Sequence, residues 1–270
     1  MKSAVTISLV PEAKAGPFVF HNRLAEGCQR AAALGFDAVE IFARSAGAVD
    51  RTELRALLDQ HRLSVAAVGT GAGWLVHKLS LTHPETSVRR QAFEFIRDIM
   101  EVAAEFKAPA IIGSMQGRWE GTVSREQALA WLAEAVVSLG KIAGAADQVL
   151  LYEPLNRYET NLFNRVGDAA GFLQSINASN VKVLADLFHM NIEESSIPDA
   201  LRGAGGLIGH VHFADSNRQA IGLGHTSMEP IIHALREISY TGYLSAEIFP
   251  LPDGETAAGR TIEAFRQYTV

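Results

Sequence analysis

The sequence contains a single cysteine, Cys28, and no run of basic residues. One cysteine can form neither a disulfide framework nor a thiolate metal site. Because Cys28 occupies an apolar position of a helical pattern, we expect it to be a buried structural thiol. Lys and Arg together number 24 against 30 Asp and Glu, which gives a formal net charge of −6. Nucleic-acid-binding proteins usually carry a basic face, so we expect no nucleic-acid partner.

Long hydrophobic stretches are also scarce. The first residues, MKSAVTISLV, lack the apolar core and small-residue cleavage site of a signal peptide. We find no apolar stretch of the length that crosses a bilayer. We therefore expect a cytoplasmic protein without a membrane partner, and the sequence leaves a homo-oligomer open.

What the sequence does contain is a regular alternation of short apolar runs and amphipathic helical segments. The predicted strands are residues 4–9, 38–42, 65–68, 110–112, 149–152, 181–184, 208–213 and 243–248. Capping-box pairs, Asp50 with Glu53 and Ser124 with Gln127, predict the starts of two of the intervening helices.

Strand–helix alternation of this kind indicates an α/β fold with a parallel sheet and right-handed crossovers. Eight such units in 270 residues favour a closed (β/α)8 TIM barrel over an open, doubly wound sheet. No linker, low-complexity tract or charge run interrupts the pattern, so residues 1–270 are predicted to form one domain.

Four residues with metal-ligand atoms lie at the ends of the last four predicted strands. They are Glu153, Asp186, His212 and Glu247. Barrel enzymes carry their chemistry at the carboxyl ends of the strands, and the ends of consecutive strands are neighbours. Any one of these side chains alone would more simply belong to a salt bridge or a helix cap. All four together predict convergence on a single point.

Three carboxylates at one point would repel each other and lose hydration unless a cation lay between them. Three oxygen ligands and one imidazole suit Mn²⁺ or Mg²⁺, with Co²⁺ or Zn²⁺ as alternatives. We therefore predict one divalent cation, with Mn²⁺ the first choice.

The segments around these residues resemble a known family. EPLNRYET, DLFHMNIEE and HVHFADSNR, which begin at Glu153, Asp186 and His210, look like hallmark segments of the xylose isomerase-like barrels. Within that family they are most similar to the D-tagatose 3-epimerase and 5-keto-gluconate epimerase group. The likeness is specific over about residues 150–250 and weaker before them. One departure is Leu187, where relatives usually carry Thr.

The resemblance implies a metal-dependent isomerase or epimerase of a keto sugar or keto-sugar acid. It assigns the metal to the same four residues and contacts with substrate hydroxyls to Glu159, His189 and Arg218. It also implies proton transfer through a metal-stabilised enediolate, with Glu153 and Glu247 as catalytic bases on opposite faces of the reacting carbon.

Two other functions share these features. A lyase, hydrolase or deglycosidase acting on an oxidised sugar could use the same metal site, because an enediolate also expels a β-leaving group. An apurinic-site endonuclease has a similar barrel but carries three metals and additional histidines after strands three and four. Here those points hold Gly69, Thr70, Gly113 and Ser114.

Several further residues have ambiguous patterns. We expect His210 to face away from His212 and to pack outward or bond to the backbone. Glu40, assigned to the end of the second predicted strand, fits either a pocket lining or a structural ion pair. The segment GTGAGW predicts a loop at the pocket mouth with Trp74 as a lid contact. Arg118 could bind an acidic substrate group or simply lie on the surface.

Overall fold

The strands of the computed structural model, which describes residues 1–269, close into a barrel. The strands are β1 (Lys2–Ser8), β2 (Phe20–His21), β3 (Ala38–Phe42), β4 (Ser64–Gly69), β5 (Ala110–Ile112), β6 (Leu150–Tyr152), β7 (Val181–Asp186), β8 (Ile208–His212) and β9 (Tyr243–Ala246). The α-helices are α1 (Leu24–Leu34), α2 (Arg51–His61), α3 (Ala72–His77), α4 (Thr86–Glu105), α5 (Arg125–Ala145), α6 (Val166–Ser175), α7 (Leu187–Glu193), α8 (Ile197–Ala204), α9 (Met228–Glu237) and α10 (Gly254–Thr269).

The predicted (β/α)8 TIM barrel is confirmed. Each strand from β3 to β9 pairs in parallel with the next, β1 pairs with β3, and β1 also pairs with β9 to close the ring. The short strand β2 was not predicted. It pairs with the last two residues of β1, Ile7 and Ser8, beyond the part of β1 that pairs with β9.

The helix starts follow the predicted capping chemistry. The Asp50 side chain accepts a hydrogen bond from the Glu53 backbone N–H at the start of α2. The Ser124 hydroxyl accepts one from the Gln127 N–H at the start of α5. Each cap satisfies a backbone donor that the first helical turn leaves free.

The main hydrophobic core lies between the strands and the surrounding helices and includes Cys28, as predicted. Burial raises the pKa of the Cys28 thiol to about 11, so the group is neutral and packs as an apolar side chain.

Two of the smaller apolar clusters, separate from this core, lie on barrel strands. One contains Ala67, Ile111, Leu151 and Leu184. Successive residues of a strand point to opposite faces, so residues two apart share a face. The residues that follow Leu151 and Leu184 by two positions, Glu153 and Asp186, therefore point into the same barrel interior. The buried apolar side chains of this cluster lie beneath the two carboxylates.

Helix α5 corrects one sequence-based expectation. Among the described residues, this helix alone is long and apolar enough to meet the length and composition criteria for crossing a membrane, whereas we had expected no such stretch. A core helix of a soluble protein passes the same test. In the barrel α5 packs against α4, β6 and β7, and residues such as Leu132, Val136 and Leu139 are buried there.

Candidate active site

The four predicted metal ligands come together at the carboxyl end of the barrel. Asp186 and His212 are the last residues of β7 and β8, and Glu153 and Glu247 directly follow β6 and β9. Each offers one ligand atom, and these four atoms all lie within 4.8 Å of one another. Four consecutive strands of one barrel thus bring residues that are distant in sequence to one point.

His212 Nδ1 lies at the centre of the carboxylates. It is 3.4 Å from Asp186 Oδ2, 3.5 Å from Glu153 Oε1 and 3.7 Å from Glu247 Oε2. Ligands bound at roughly 2.1 Å around a small cation are about 3 Å or slightly more from their neighbours, so the cluster needs little rearrangement to hold one. Glu153 Oε1 is buried and has no hydrogen-bond partner in residues 1–269, which leaves it free for a cation.

Asp186 divides its two oxygens between structure and site. Its Oδ1 accepts hydrogen bonds from the backbone N–H groups of Phe188, at 2.7 Å, and His189, at 3.4 Å, and so caps α7. Its Oδ2 faces His212. Burial alone would raise the pKa of Asp186, but the electrostatic effects of the neighbouring His189, His212 and Arg218 hold it below its usual value. Asp186 is therefore ionised and rigidly oriented.

Glu247 has the opposite electrostatic character. Burial raises its pKa to about 7, and the carboxylates of Glu153 and Asp186 act in the same direction against Arg218 and His212. In the metal-free protein this carboxyl can hold a proton near neutral pH. A carboxyl group with a pKa near the working pH is suited to exchanging protons with a substrate.

The His189 ring is oriented by Asn156. The Asn156 backbone N–H donates to His189 Nδ1 at 3.3 Å, and the Asn156 side-chain nitrogen lies 2.8 Å from the same atom. A neutral ring that accepts at Nδ1 carries its proton on Nε2. His189 Nε2 is buried without a hydrogen-bond partner among the described residues, 3.6 Å from Asp186 Oδ2 and 3.9 Å from Glu153 Oε1. It is therefore an unused donor beside the ligand cluster.

Arg218 and Glu159 complete the predicted set. Arg218 lies in the loop after β8, donates from Nη2 to Glu247 and lies 3.5 Å from Asp186 Oδ2. Its guanidinium is 4.9 Å from the centre of the Phe188 ring, and this cation–π contact orients the guanidinium. Glu159 accepts from Asn156 Nδ2 at 3.1 Å and reaches within 4.0 Å of Arg218 Nη1. All seven predicted site residues are thus brought together.

His210 does not face away from the site, so this expectation was wrong. His210 and His212 are two positions apart on β8, and residues with that spacing point to the same side of a strand. Their ring centres are 5.6 Å apart, and both rings contact Glu40. Glu40 itself lies in the middle of β3 rather than at its end. Glu40 is buried, and burial alone would raise its pKa. The neighbouring His212 and His210 together have the larger effect and lower the pKa below its usual value.

The remaining ambiguous residues line one large cavity of about 1140 Å³ that opens above the cluster. Trp74 lines it from helix α3, where the sequence had predicted a loop. Arg118 also lines it, with Nε 3.4 Å from Glu120 Oε2, so its charge is partnered. Gly69, Thr70, Gly113 and Ser114 lie along the wall and supply no histidine or carboxylate.

Sequence reasoning missed the residues that support the site from behind. The Gln116 side-chain N–H donates to the backbone carbonyls of Glu153 and Gly113, and its oxygen accepts from the buried Tyr152 hydroxyl. Asp215 accepts backbone hydrogen bonds along the loop that carries Arg218. Amide and carboxylate side chains of this kind carry no local pattern that would single them out.

Known proteins match this chain over most of its length. A model of the family described as "Xylose isomerase-like TIM barrel" matches residues 28–268. The D-psicose 3-epimerase of Agrobacterium fabrum (strain C58 / ATCC 33970) is 31% identical over 258 residues, which cover 94% of this chain and 85% of that protein. The 3-dehydro-D-guloside 4-epimerase of Escherichia coli (strain K12) is 35% identical over 109 residues, 40% of this chain and 42% of that protein.

A solved structure gives the same architecture. The crystal structure of a D-psicose 3-epimerase with D-tagatose, from Clostridium cellulolyticum H10, covers 99% of both chains with a TM-score of 0.84. At 23% identity this likeness concerns the fold.

Proposed function

Because this chain belongs to the xylose isomerase-like TIM barrel family, we propose that it is a metal-dependent epimerase or isomerase of a keto sugar or keto-sugar acid. The observation that carries the proposal is the convergence of Glu153, Asp186, His212 and Glu247 within 4.8 Å at four consecutive strand ends. The sugar-epimerase names of the relatives from Agrobacterium fabrum and Escherichia coli support the same reaction class.

One divalent cation, preferably Mn²⁺ or Mg²⁺, would be held by these four side chains. The support is the donor set of three carboxylates and one imidazole, together with the unpartnered buried oxygen of Glu153. When bound, the cation would polarise the ketone oxygen and stabilise the negative charge that develops on it. Co²⁺ and Zn²⁺ are alternatives for the same ligands.

Glu153 and Glu247 would transfer the proton. They follow the two outer strands of the four, β6 and β9, and so approach the cluster from opposite sides. One carboxylate takes the proton from the carbon beside the ketone, and the other returns a proton from the far face, which inverts that centre. In the metal-free protein burial raises the pKa of Glu247 to about 7, so this carboxylate is more basic than an ordinary glutamate.

Three further side chains would bind and orient the sugar. His189 would donate its free Nε2–H to a substrate oxygen, since Asn156 occupies Nδ1. Arg218 would hold the oxygens that gain negative charge, and its contact with Glu247 keeps it beside the proton-transfer group. Glu159 would accept a hydrogen bond from a hydroxyl; its side chain is 41% exposed, so substrate can reach it.

The size of the cavity bears on the substrate. About 1140 Å³ exceeds the roughly 300–1,000 Å³ of typical small-molecule pockets, and a free ketose fills only part of such a space. The relative from Agrobacterium fabrum is named for a free ketose, and the one from Escherichia coli for a 3-dehydro-glycoside. We propose that the cavity accepts keto sugars that carry a substituent as well as free ketoses.

Isotope exchange tests the reaction class. In D₂O the enzyme should transfer deuterium to the carbon beside the ketone and invert it, without other change in mass. We would offer ketoses, keto-sugar acids and 3-keto-glycosides to the Mn²⁺ form and follow the products by NMR and mass spectrometry. Release of an aglycone or of water as the main product would instead assign a lyase or deglycosidase to the same residues.

Elemental analysis tests the cation. Wild-type protein should bind one divalent ion per chain, and Asp186→Asn or His212→Ala should remove most of it. Asp168→Asn, which alters an exposed carboxylate in the first turn of α6, is the matched control and should keep the ion. Three ions per chain would contradict the proposal and favour the endonuclease-like arrangement.

A further inference from the structure

Glu40 lies beneath the ligand cluster and bridges two histidines. It is 2% exposed, on the inner face of β3. Its Oε1 lies 3.2 Å from His212 Nε2 and its Oε2 lies 2.8 Å from His210 Nε2. The Thr6 hydroxyl donates to Oε1 at 3.4 Å from the adjacent strand β1. Neither Glu40 nor His210 is one of the seven site residues named above.

Both ring nitrogens of His212 therefore face carboxylates. Nδ1 faces the carboxylates of the ligand cluster, and Nε2 faces Glu40. A neutral imidazole carries one proton, and the carboxylate of Glu40 favours it on Nε2, where it can be donated. The lone pair then remains on Nδ1, the only ring atom that faces the other three ligands.

We propose that Glu40 is a positioning residue that fixes the tautomer and ring orientation of His212 for metal binding, and that His210 holds Glu40 in place. The inference rests on the proposed metal site. Carboxylates that accept the second N–H of a metal-bound histidine orient the ring and raise its basicity, and their loss weakens metal affinity about 10- to 100-fold.

Two irregularities in strand pairing lie beside Glu40 and His210. The pairing of β3 with β4 shifts between Val39 and Ile41, at Glu40, and that of β7 with β8 shifts between Val183 and Leu184. Such irregularities turn a side chain away from the regular direction and recur beside active sites. Gly209 lies opposite the second shift, where a Cβ would lie 2.7 Å from Lys182 Cβ and 2.8 Å from Leu151 Cδ2.

A second cation held by Glu40, His210 and His212 is the competing interpretation, because their ligand atoms also lie within 4.8 Å of one another. It would require His212 to bind two cations, one through each nitrogen. The separations of 2.8 and 3.2 Å between nitrogen and carboxylate oxygen are those of direct hydrogen bonds. These contacts satisfy both oxygens of Glu40 without an ion.

The test is Glu40→Gln, which keeps the size of the side chain and removes its charge. We would measure the Kd for Co²⁺ by competition with a chelator, the number of ions bound per chain and the visible absorption of bound Co²⁺. We expect one ion per chain in both proteins, a Kd raised about 10- to 100-fold in the variant, and an altered Co²⁺ spectrum. Glu40→Asp keeps the charge but draws it back from His212, and should give an intermediate Kd even if Glu40→Gln fails to fold.

Asp37→Asn is the matched control. Asp37 directly precedes β3 at the opposite end of the barrel and accepts hydrogen bonds from the Ser3 backbone N–H and hydroxyl. Its loss should lower Tm without changing the Kd. An unchanged Kd in both Glu40 variants would overturn the inference, as would two ions in wild type and one in Glu40→Gln. No ion in wild type would refute the proposed metal site itself.

Discussion

Replacing Gly113 by Ala tests how tightly the site is built around Glu153. Gly113 follows strand β5, and a Cβ added there would lie 2.5 Å from Glu153 Oε2. Real Cβ atoms are not found so close to another heavy atom, so one group must move. The Glu153 backbone is held by hydrogen bonds to Ile112 and Gln116, which leaves the carboxylate as the part that can turn away.

The expected effect falls on the chemistry more than on the fold. A shift of about 1 Å in a reacting group can cost on the order of 100-fold in rate, and we expect kcat to fall by about that factor. Metal affinity should weaken as well, since Glu153 Oε1 faces His212 Nδ1 at 3.5 Å. Overpacking costs about 1–3 kcal/mol in a core, and a carboxylate that can swing into the cavity keeps the cost at the low end.

Steady-state kinetics, metal titration and thermal unfolding would be measured side by side. Gly171→Ala is the matched control, because it makes the same chemical change in α6, where nothing beyond the adjoining helical backbone lies within 4 Å of the new Cβ. It should leave kcat unchanged and stabilise the helix by about 0.5–1 kcal/mol. Wild-type kcat and metal affinity in Gly113→Ala would show that Glu153 is not confined as we argue.

The remaining predictions concern individual groups. His189→Ala should keep one metal ion per chain, because Asn156 occupies His189 Nδ1 and the ring is not assigned as a ligand. Turnover should fall about 10²-fold, because the Nε2 donor to the substrate is lost. Elemental analysis that finds no ion in this variant would make His189 a ligand. Metal binding should release protons and weaken as pH falls through about 7, because burial raises the pKa of Glu247 to about 7 and the protonated carboxyl cannot ligate; calorimetry in two buffers of different ionisation enthalpy checks this. Asp215→Ala should leave partly buried backbone N–H groups without their carboxylate partner, at a cost of about 1 kcal/mol, and raise KM through Arg218. Unchanged hydrogen exchange in residues 215–226 would contradict it.

The eight barrel strands were predictable because buried parallel strands are short apolar runs and the helices between them are amphipathic. Their ends were less predictable. Strand β1 is Lys2–Ser8, against a predicted 4–9, because the start of β1 pairs with β9 at the other end of the chain. Strand β2 and helix α3 were not predicted for a different reason. Both are too short to show a period of their own.

The ligand set was predictable because topology alone joins it. Consecutive strand ends of a parallel barrel must be neighbours, so sequence position after each strand was enough to predict that Glu153 and Asp186 meet. The position of a residue after a strand was not enough to predict the roles of Glu40 and His210. Their role depends on the inner strand face and on two register shifts, which no local pattern reveals. The error on His210 came from the wrong strand periodicity, and the correct period of two places it on the same face of the strand as His212.

Charge balance links these features. The carboxylates of Glu153, Asp186, Glu247 and Glu40 surround His212, and among the described residues Arg218 is the one guanidinium in contact with this cluster. A buried excess of negative charge is costly, so a metal-free site must hold protons. It does so at His212, whose pKa the carboxylates of Glu40 and Glu247 raise well above its usual value despite burial, and at Glu247. A divalent cation would displace the Nδ1 proton of His212 and the carboxyl proton of Glu247. Cation and protons therefore compete for one set of atoms, and Glu247, whose pKa is near neutrality, is one of the two groups assigned to proton transfer.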